Sequence, residues 1–158
     1  MKISTLATFV ALLFVLVIAA ACGGSPTTQS QPAQEPAQAE APATGLPDWS
    51  PNPDGYTDIT VDQLAAALPA KDFTLVNVHI PYQGELPNTD QFVPFDQILN
   101  NLDKLPGKDE PVVLYCRSGG MSTVAAKALA QAGYTNVYEL DGGFNAWKAA
   151  GYDLLMKQ

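Results

Sequence analysis

The stretch Pro111-Val112-Val113-Leu114-Tyr115-Cys116-Arg117-Ser118-Gly119-Gly120-Met121-Ser122 runs from an apolar segment, through one cysteine, into a glycine-rich turn. Its first five residues are continuously apolar, the pattern of a strand buried on both faces of a parallel sheet. Beyond the turn, Met121, Val124, Ala125, Ala128, Leu129 and Ala132 recur at the spacing of one helix face, and Gly133 is the stop. The cysteine therefore falls between the carboxyl end of a strand and the amino end of a helix.

The same alternation extends outward. Residues 57–60 read as a short strand, and Thr60 or Asp62 caps a helix whose apolar face is Val61, Leu64, Ala65 and Leu68, stopped by Pro69. Residues 73–78 read as a buried strand. Gln91-Phe92-Val93 is a further short strand before a helix over residues 96–105, closed by Pro106-Gly107. Residues 136–140 return as a strand, and Asp141 caps a last helix that carries Phe144, Ala146 and Trp147 and ends at Gly151. Strand–helix alternation predicts an α/β domain over residues 55–158, a parallel sheet with helices on both faces. A chain of 158 residues leaves no room for a second sizeable core.

Sheets of this kind present ligands at the carboxyl ends of their strands, where Cys116 lies. Gly119-Gly120 lets the chain curl tightly, so that successive N–H groups and the helix dipole form a concave anion site. A sulfur at its centre is held as thiolate, with a pKa lowered from about 8.5 into the range ~3.5–7.5. Arg117 adds a fixed positive charge that suits an anionic sulfur donor. A free cysteine more often serves as a small buried hydrophobe, but the strand end and the Gly-Gly turn favour a reactive thiol. A phosphatase loop of the C-x5-R type is set aside, because Ser122 stands where its phosphate-clamping arginine would be.

On these residues the chain resembles the single-domain rhodaneses. Cys116-Arg117-Ser118-Gly119-Gly120-Met121-Ser122 is similar to their active-site loop, and Asp141-Gly142-Gly143-Phe144-Asn145-Ala146-Trp147, ending in Ala150-Gly151-Tyr152, to their C-terminal signature. The resemblance covers residues 57–155. It implies the rhodanese α/β fold and a sulfurtransferase in which Cys116 takes a sulfane sulfur as a persulfide and passes it to a thiol or to cyanide. Arg117, Ser118, Gly119, Gly120, Met121 and Ser122 would form the loop whose amides hold that persulfide, with no metal or cofactor. Asn77-Val78-His79 departs from the family's Asp-Val-Arg, and Gly84-Glu85-Leu86-Pro87-Asn88-Thr89 from its Gly-His-Ile-Pro-Gly-Ala. Met121 stands where several members carry a cation, which implies a weaker grip on thiosulfate.

His79, at the end of the neighbouring strand, could donate a hydrogen bond or proton to the sulfur, or could be held by local backbone groups. Glu85 is a site acid or a solvated loop acid. Trp147, Phe144 and Tyr138 are most simply core. These departures also support an alternative: a non-enzymatic module that binds a partner or senses redox state.

The first third of the chain has a different character. Lys2 precedes a charge-free apolar run over residues 6–21, which reads as a signal peptide of residues 1–21, too short for the ~20 residues of a spanning helix. Ile18-Ala19-Ala20-Ala21-Cys22-Gly23-Gly24-Ser25 resembles a bacterial lipobox, which implies lipidation of Cys22 and an acyl anchor in a bilayer; the alternative is an ordinary A-x-A cleavage site. Residues 22–54, rich in Pro, Gln and Ala, are expected to form a disordered tether. The expected location is extracytoplasmic, on a membrane. Formal charge is −8, from 8 basic and 16 acidic residues, which disfavours nucleic-acid binding. Two cysteines and one histidine do not make a structural zinc site.

Overall fold

The computed structural model of the chain describes residues 45–157. The expected signal peptide of residues 1–21, the expected lipidation site Cys22 and the expected tether up to residue 44 lie outside the described residues. Strand β1 (Thr57–Ile59) leads into helix α1 (Val61–Ala67). That helix starts on a capping box: the Gln63 amide donates to the Thr60 hydroxyl, and the Thr60 amide donates to the Gln63 side chain. Thr60 is thus the cap, and Asp62 lies in the first turn. Strands β2 (Thr74–Asn77), β3 (Gln91–Phe92), β4 (Val112–Tyr115) and β5 (Val137–Leu140) join β1 in one parallel sheet of order β1-β5-β4-β2-β3. Helix α2 (Gly120–Gln131) follows β4, and α3 (Gly143–Ala149) follows β5.

Successive side chains of a strand point to opposite faces, and this sorts the core into two layers. Val76, Val78, Val112, Leu114, Cys116 and Val137 pack under α2. Leu75, Val113, Tyr115, Tyr138 and Leu140 pack against α1 and α3 on the other face. The sheet is covered on both sides, as the alternation predicts.

Four local expectations are corrected. Residues 96–105 do not form one helix but two 3-10 turns, Phe95–Asn100 and Leu102–Lys104. Phe95, Ile98, Leu102 and Leu105 keep the spacing of a helix face, but at Asn101, whose φ is −131°, the helical backbone breaks and the side chain donates to the Gln97 carbonyl. Helix α2 is rotated relative to its most apolar stripe: Val124 is 52% exposed, whereas Ser122, Ala125, Ala126 and Leu129 are buried. Small residues on that face let the helix lie close to the sheet.

Asp141 does not cap α3. Its amide donates to the Ile59 carbonyl, its side chain is exposed, and the cap is Gly142 in the left-handed region. Residues 46–54, assigned to the tether from composition, make defined contacts with the domain. Leu46 packs against the α1/α3 layer, the Tyr138 hydroxyl donates to the Pro47 carbonyl at 3.3 Å, and the Ser50 amide donates to Thr57 Oγ1 at 3.1 Å. Prolines suit such an extended segment, which needs few backbone donors.

Candidate active site

At the end of β4 the chain delivers Cys116 to the α2 face of the sheet, 1% exposed. The turn that follows depends on Gly119, whose φ of 96° lies where residues with a Cβ are strained. That conformation aims the Gly119 amide at the sulfur, N to Sγ 3.1 Å. One turn into α2, Ser122 is fully buried with its Oγ 3.3 Å from Sγ. Burial pushes the Cys116 thiol up, but the Ser122 hydroxyl and the backbone N–H groups of Ser122, Ser118 and Met121 outweigh it, so the pKa lies below the ordinary thiol value. The sulfur thus sits within the apolar layer under α2 and at the same time within reach of these donors.

The other end of the loop is pinned by α3. The Phe144 amide donates to the Cys116 carbonyl at 2.9 Å and the Asn145 amide to the Arg117 carbonyl at 3.0 Å. With its carbonyls turned toward α3, the loop is free to turn N–H groups toward Sγ. The two sequence motifs thus meet in space.

The remaining residues singled out in the sequence separate. Arg117, Ser118 and Gly120 are exposed at the mouth of the loop, and Arg117 forms no ion pair among the described residues. Met121 is half-buried and packs on the α2 layer. His79 is 4% exposed, stands edge-on to Phe144 with ring centroids 5.3 Å apart, and makes no hydrogen bond to Sγ. Glu85 belongs to the other face. Its backbone pairs with Leu155 in an antiparallel bridge, and its carboxylate meets Lys157 Nζ at 2.5 Å, so it fastens the C-terminal segment. Beside it the Tyr115 hydroxyl accepts from the Leu86 amide at 3.0 Å.

Sequence reasoning misses Glu139. It is 2% exposed in the middle of β5, and Ser122 Oγ donates to its Oε1 at 2.5 Å, so it lies directly behind the residue that touches the sulfur. The one available signal is an acid within a strand whose other residues are apolar.

This fold and loop define a domain built around one buried, amide-held cysteine at a strand's carboxyl end. The chain belongs to the rhodanese-like domain family, whose model matches residues 61–150. It is 38% identical over 88 residues to a sulfurtransferase of Allochromatium vinosum, covering 54% of this chain and 80% of the relative. It is 30% identical over 98 residues to the thiosulfate sulfurtransferase GlpE of Pseudoalteromonas translucida, covering 60% of this chain and 91% of the relative. Among solved structures, a rhodanese-like domain protein from Staphylococcus aureus superposes with a TM-score of 0.54 at 27% identity, covering 63% of this chain and 99% of that one. A rhodanese-related protein from Thermoplasma volcanium matches the fold with a TM-score of 0.56 at 24% identity, covering 65% of this chain and 100% of that one.

Proposed function

We propose that the chain is a rhodanese-type sulfurtransferase that works through a Cys116 persulfide. The Cys116 thiolate attacks the outer sulfur of an anionic sulfane donor such as thiosulfate. The new S–S bond forms as the donor's S–S bond breaks, and sulfite leaves with the electron pair. An acceptor thiolate or cyanide then attacks the outer sulfur of the persulfide and releases Cys116 as thiolate. The observation that carries this reading is the approach of the Gly119 amide and the Ser122 hydroxyl to Sγ, donors that hold an anionic sulfur before and after transfer. The sulfurtransferase names of the relatives support it. Arg117 at the mouth would draw the donor anion in, and Met121 offers it no charge.

Intact mass after thiosulfate treatment tests the reading. The wild type should gain the mass of one sulfur atom that cyanide removes, and Cys116→Ala should gain none; equal uptake by the variant overturns it. The 1% exposure of Cys116 favours one other reading, a binding or redox-sensing module without turnover. Unaltered partner binding by Cys116→Ser, with no turnover on any sulfane donor, would select it.

On the same reading the domain stands outside the cytoplasmic membrane, with residues 1–21 as leader, Cys22 as the acylated anchor and the proline-rich segment as tether. Metabolic labelling with a fatty-acid analogue should mark the wild type and not Cys22→Ser. Label on both, or on neither, removes the anchor.

A further inference from the structure

We propose that Glu139 is a positioning residue for Cys116: through the Ser122 hydroxyl it exchanges a proton with the sulfur and so sets when that sulfur is a thiolate. The purpose of this relay rests on the sulfurtransferase reading, but the relay itself concerns the free thiol.

The count of protons decides the arrangement. Ser122 Oγ has one hydrogen and three acceptors within reach: Glu139 Oε1 at 2.5 Å, the Gly119 carbonyl at 3.1 Å and Cys116 Sγ at 3.3 Å. A hydroxyl donates to one of them at a time. When Glu139 is ionised, it takes the Ser122 proton, and the lone pairs of Oγ face the sulfur, where they accept from the thiol S–H. When Glu139 is protonated, its O–H donates to Oγ, and the Ser122 proton turns to Sγ. The thiolate then has two donors, the Gly119 amide and the Ser122 hydroxyl.

The two arrangements differ by a proton shift that balances. The thiol proton passes to Ser122 Oγ, the Ser122 proton passes to Glu139, and a thiol plus a carboxylate become a thiolate plus a carboxylic acid. All three residues are buried, so bulk water does not short-circuit the exchange. Ionising both ends at once leaves two anions competing for a single hydroxyl. Cys116 and Glu139 therefore titrate as a pair rather than singly.

The surroundings of Glu139 favour its neutral form. The charged groups that face it are Asp58 on β1 and Asp141 after β5, whose carboxylates lie with that of Glu139 within 4.8 Å of one another; no cation pairs with it among the described residues. Burial first, and then Asp141 and Asp58, raise its pKa to about 7 against the opposing bond from Ser122. Both arrangements are thus accessible near neutral pH.

The test is the pH dependence of Cys116 alkylation by iodoacetamide on the folded protein. In Glu139→Gln the side-chain amide donates to Ser122 at every pH, so Ser122 serves the sulfur permanently and no second anion forms. The alkylation midpoint should fall by about one pH unit, the size of a hydrogen bond to a charged group. The effect should shrink when Ser122→Ala is present, because the hydroxyl link is cut and only the repulsion between the two anions is left; a midpoint unmoved by Glu139→Gln overturns the relay, whatever happens to stability. Should that variant fail to fold, the Glu139 carboxyl carbon can be titrated by NMR in the wild type and in Cys116→Ala. Reciprocity requires the midpoint to move when the sulfur is removed, and identical curves overturn the proposal. Alkylation needs no sulfur donor, so a protein with a shifted midpoint that takes no sulfur from thiosulfate fails as a sulfurtransferase and keeps the relay. Sulfur uptake with an unshifted midpoint keeps the sulfurtransferase and removes the relay.

Discussion

The backbone amide of Phe144 donates to the carbonyl oxygen of Cys116 at 2.9 Å, so the last helix holds the Cys116 loop by its main chain rather than by a side chain. That contact requires a bare backbone at Gly143. A Cβ there would lie 2.1 Å from the Cys116 carbonyl oxygen, and its φ of 53° is left-handed. Gly143→Ala should therefore lose more than ~2 kcal/mol of stability and alter Cys116 alkylation in whatever remains folded. Gly120, the first residue of α2, has open space around its would-be Cβ and no positive φ. Gly120→Ala should leave the urea midpoint unchanged or slightly raised. Equal tolerance of the two substitutions would show that the α3 clamp does not hold the loop.

On the opposite face, Tyr115 ends β4 with its hydroxyl inside the segment that follows β2. It accepts from the Leu86 amide and shares a 2.7 Å hydrogen bond with Thr89 Oγ1. Tyr115→Phe leaves a buried amide without its acceptor, at a cost of about 1–3 kcal/mol. Because Tyr115 and Cys116 point to opposite faces, alkylation of Cys116 should proceed at the wild-type rate. Urea unfolding and iodoacetamide kinetics on the same variant check both halves.

How much of this is legible in the sequence follows from what a pattern can carry. The runs at residues 111–115 and 136–140 announce buried strands because both faces of a covered parallel sheet are apolar. The Cys116 loop and the Asp141-Gly142-Gly143 motif are visible as local chemistry. Their hydrogen bonds to each other are not, since nothing in spacing says which backbone groups meet across the sheet. Composition cannot tell a tethered segment from an extended one that docks, so it misplaces Leu46 and Ser50. Glu85 reads as either a site acid or a solvated loop acid because its partner, Lys157, comes from the far end of the chain. Glu139 is hidden for a related reason: an acid in a strand is informative only when the residue facing it from the covering helix is known, and that residue is Ser122.

His79 has two readings, a donor to the sulfur or a ring held by its local surroundings, and the second carries a signature in stability. Neither imidazole nitrogen has a hydrogen-bond partner, and the ring lies against Phe144. Burial holds its pKa below the ordinary value, with the Gln83 side chain opposing and the Arg117 charge adding to the depression. The unfolded chain therefore takes up more protons than the folded one as pH falls through the ordinary histidine range, and the folded state loses stability there. His79→Leu should unfold at a higher urea concentration than the wild type at about pH 5, with the advantage shrinking at about pH 8. Sulfur uptake from thiosulfate should persist. Its loss in a well-folded His79→Leu protein would return the histidine to the chemistry.

Glu139 leaves a signature of the opposite sign in global stability. Its folded pKa, about 7, lies above the ordinary 4.5. Between these values the native state binds the extra proton, so its contribution is full below about pH 4.5 and is lost as pH rises through 7. The full excursion is worth about 3 kcal/mol. His79 works against this slope in the lower part of the window, so the wild-type curve alone mixes two effects. The difference between wild type and Glu139→Gln separates them, because both proteins carry the same histidine. Glu139→Gln should gain on the wild type as pH rises from about 4.5 to 7, as read from urea midpoints across that range. Parallel curves for the two proteins would mean that Glu139 keeps the ordinary carboxyl pKa in the folded state, and that the buried acid behind Ser122 is ionised throughout.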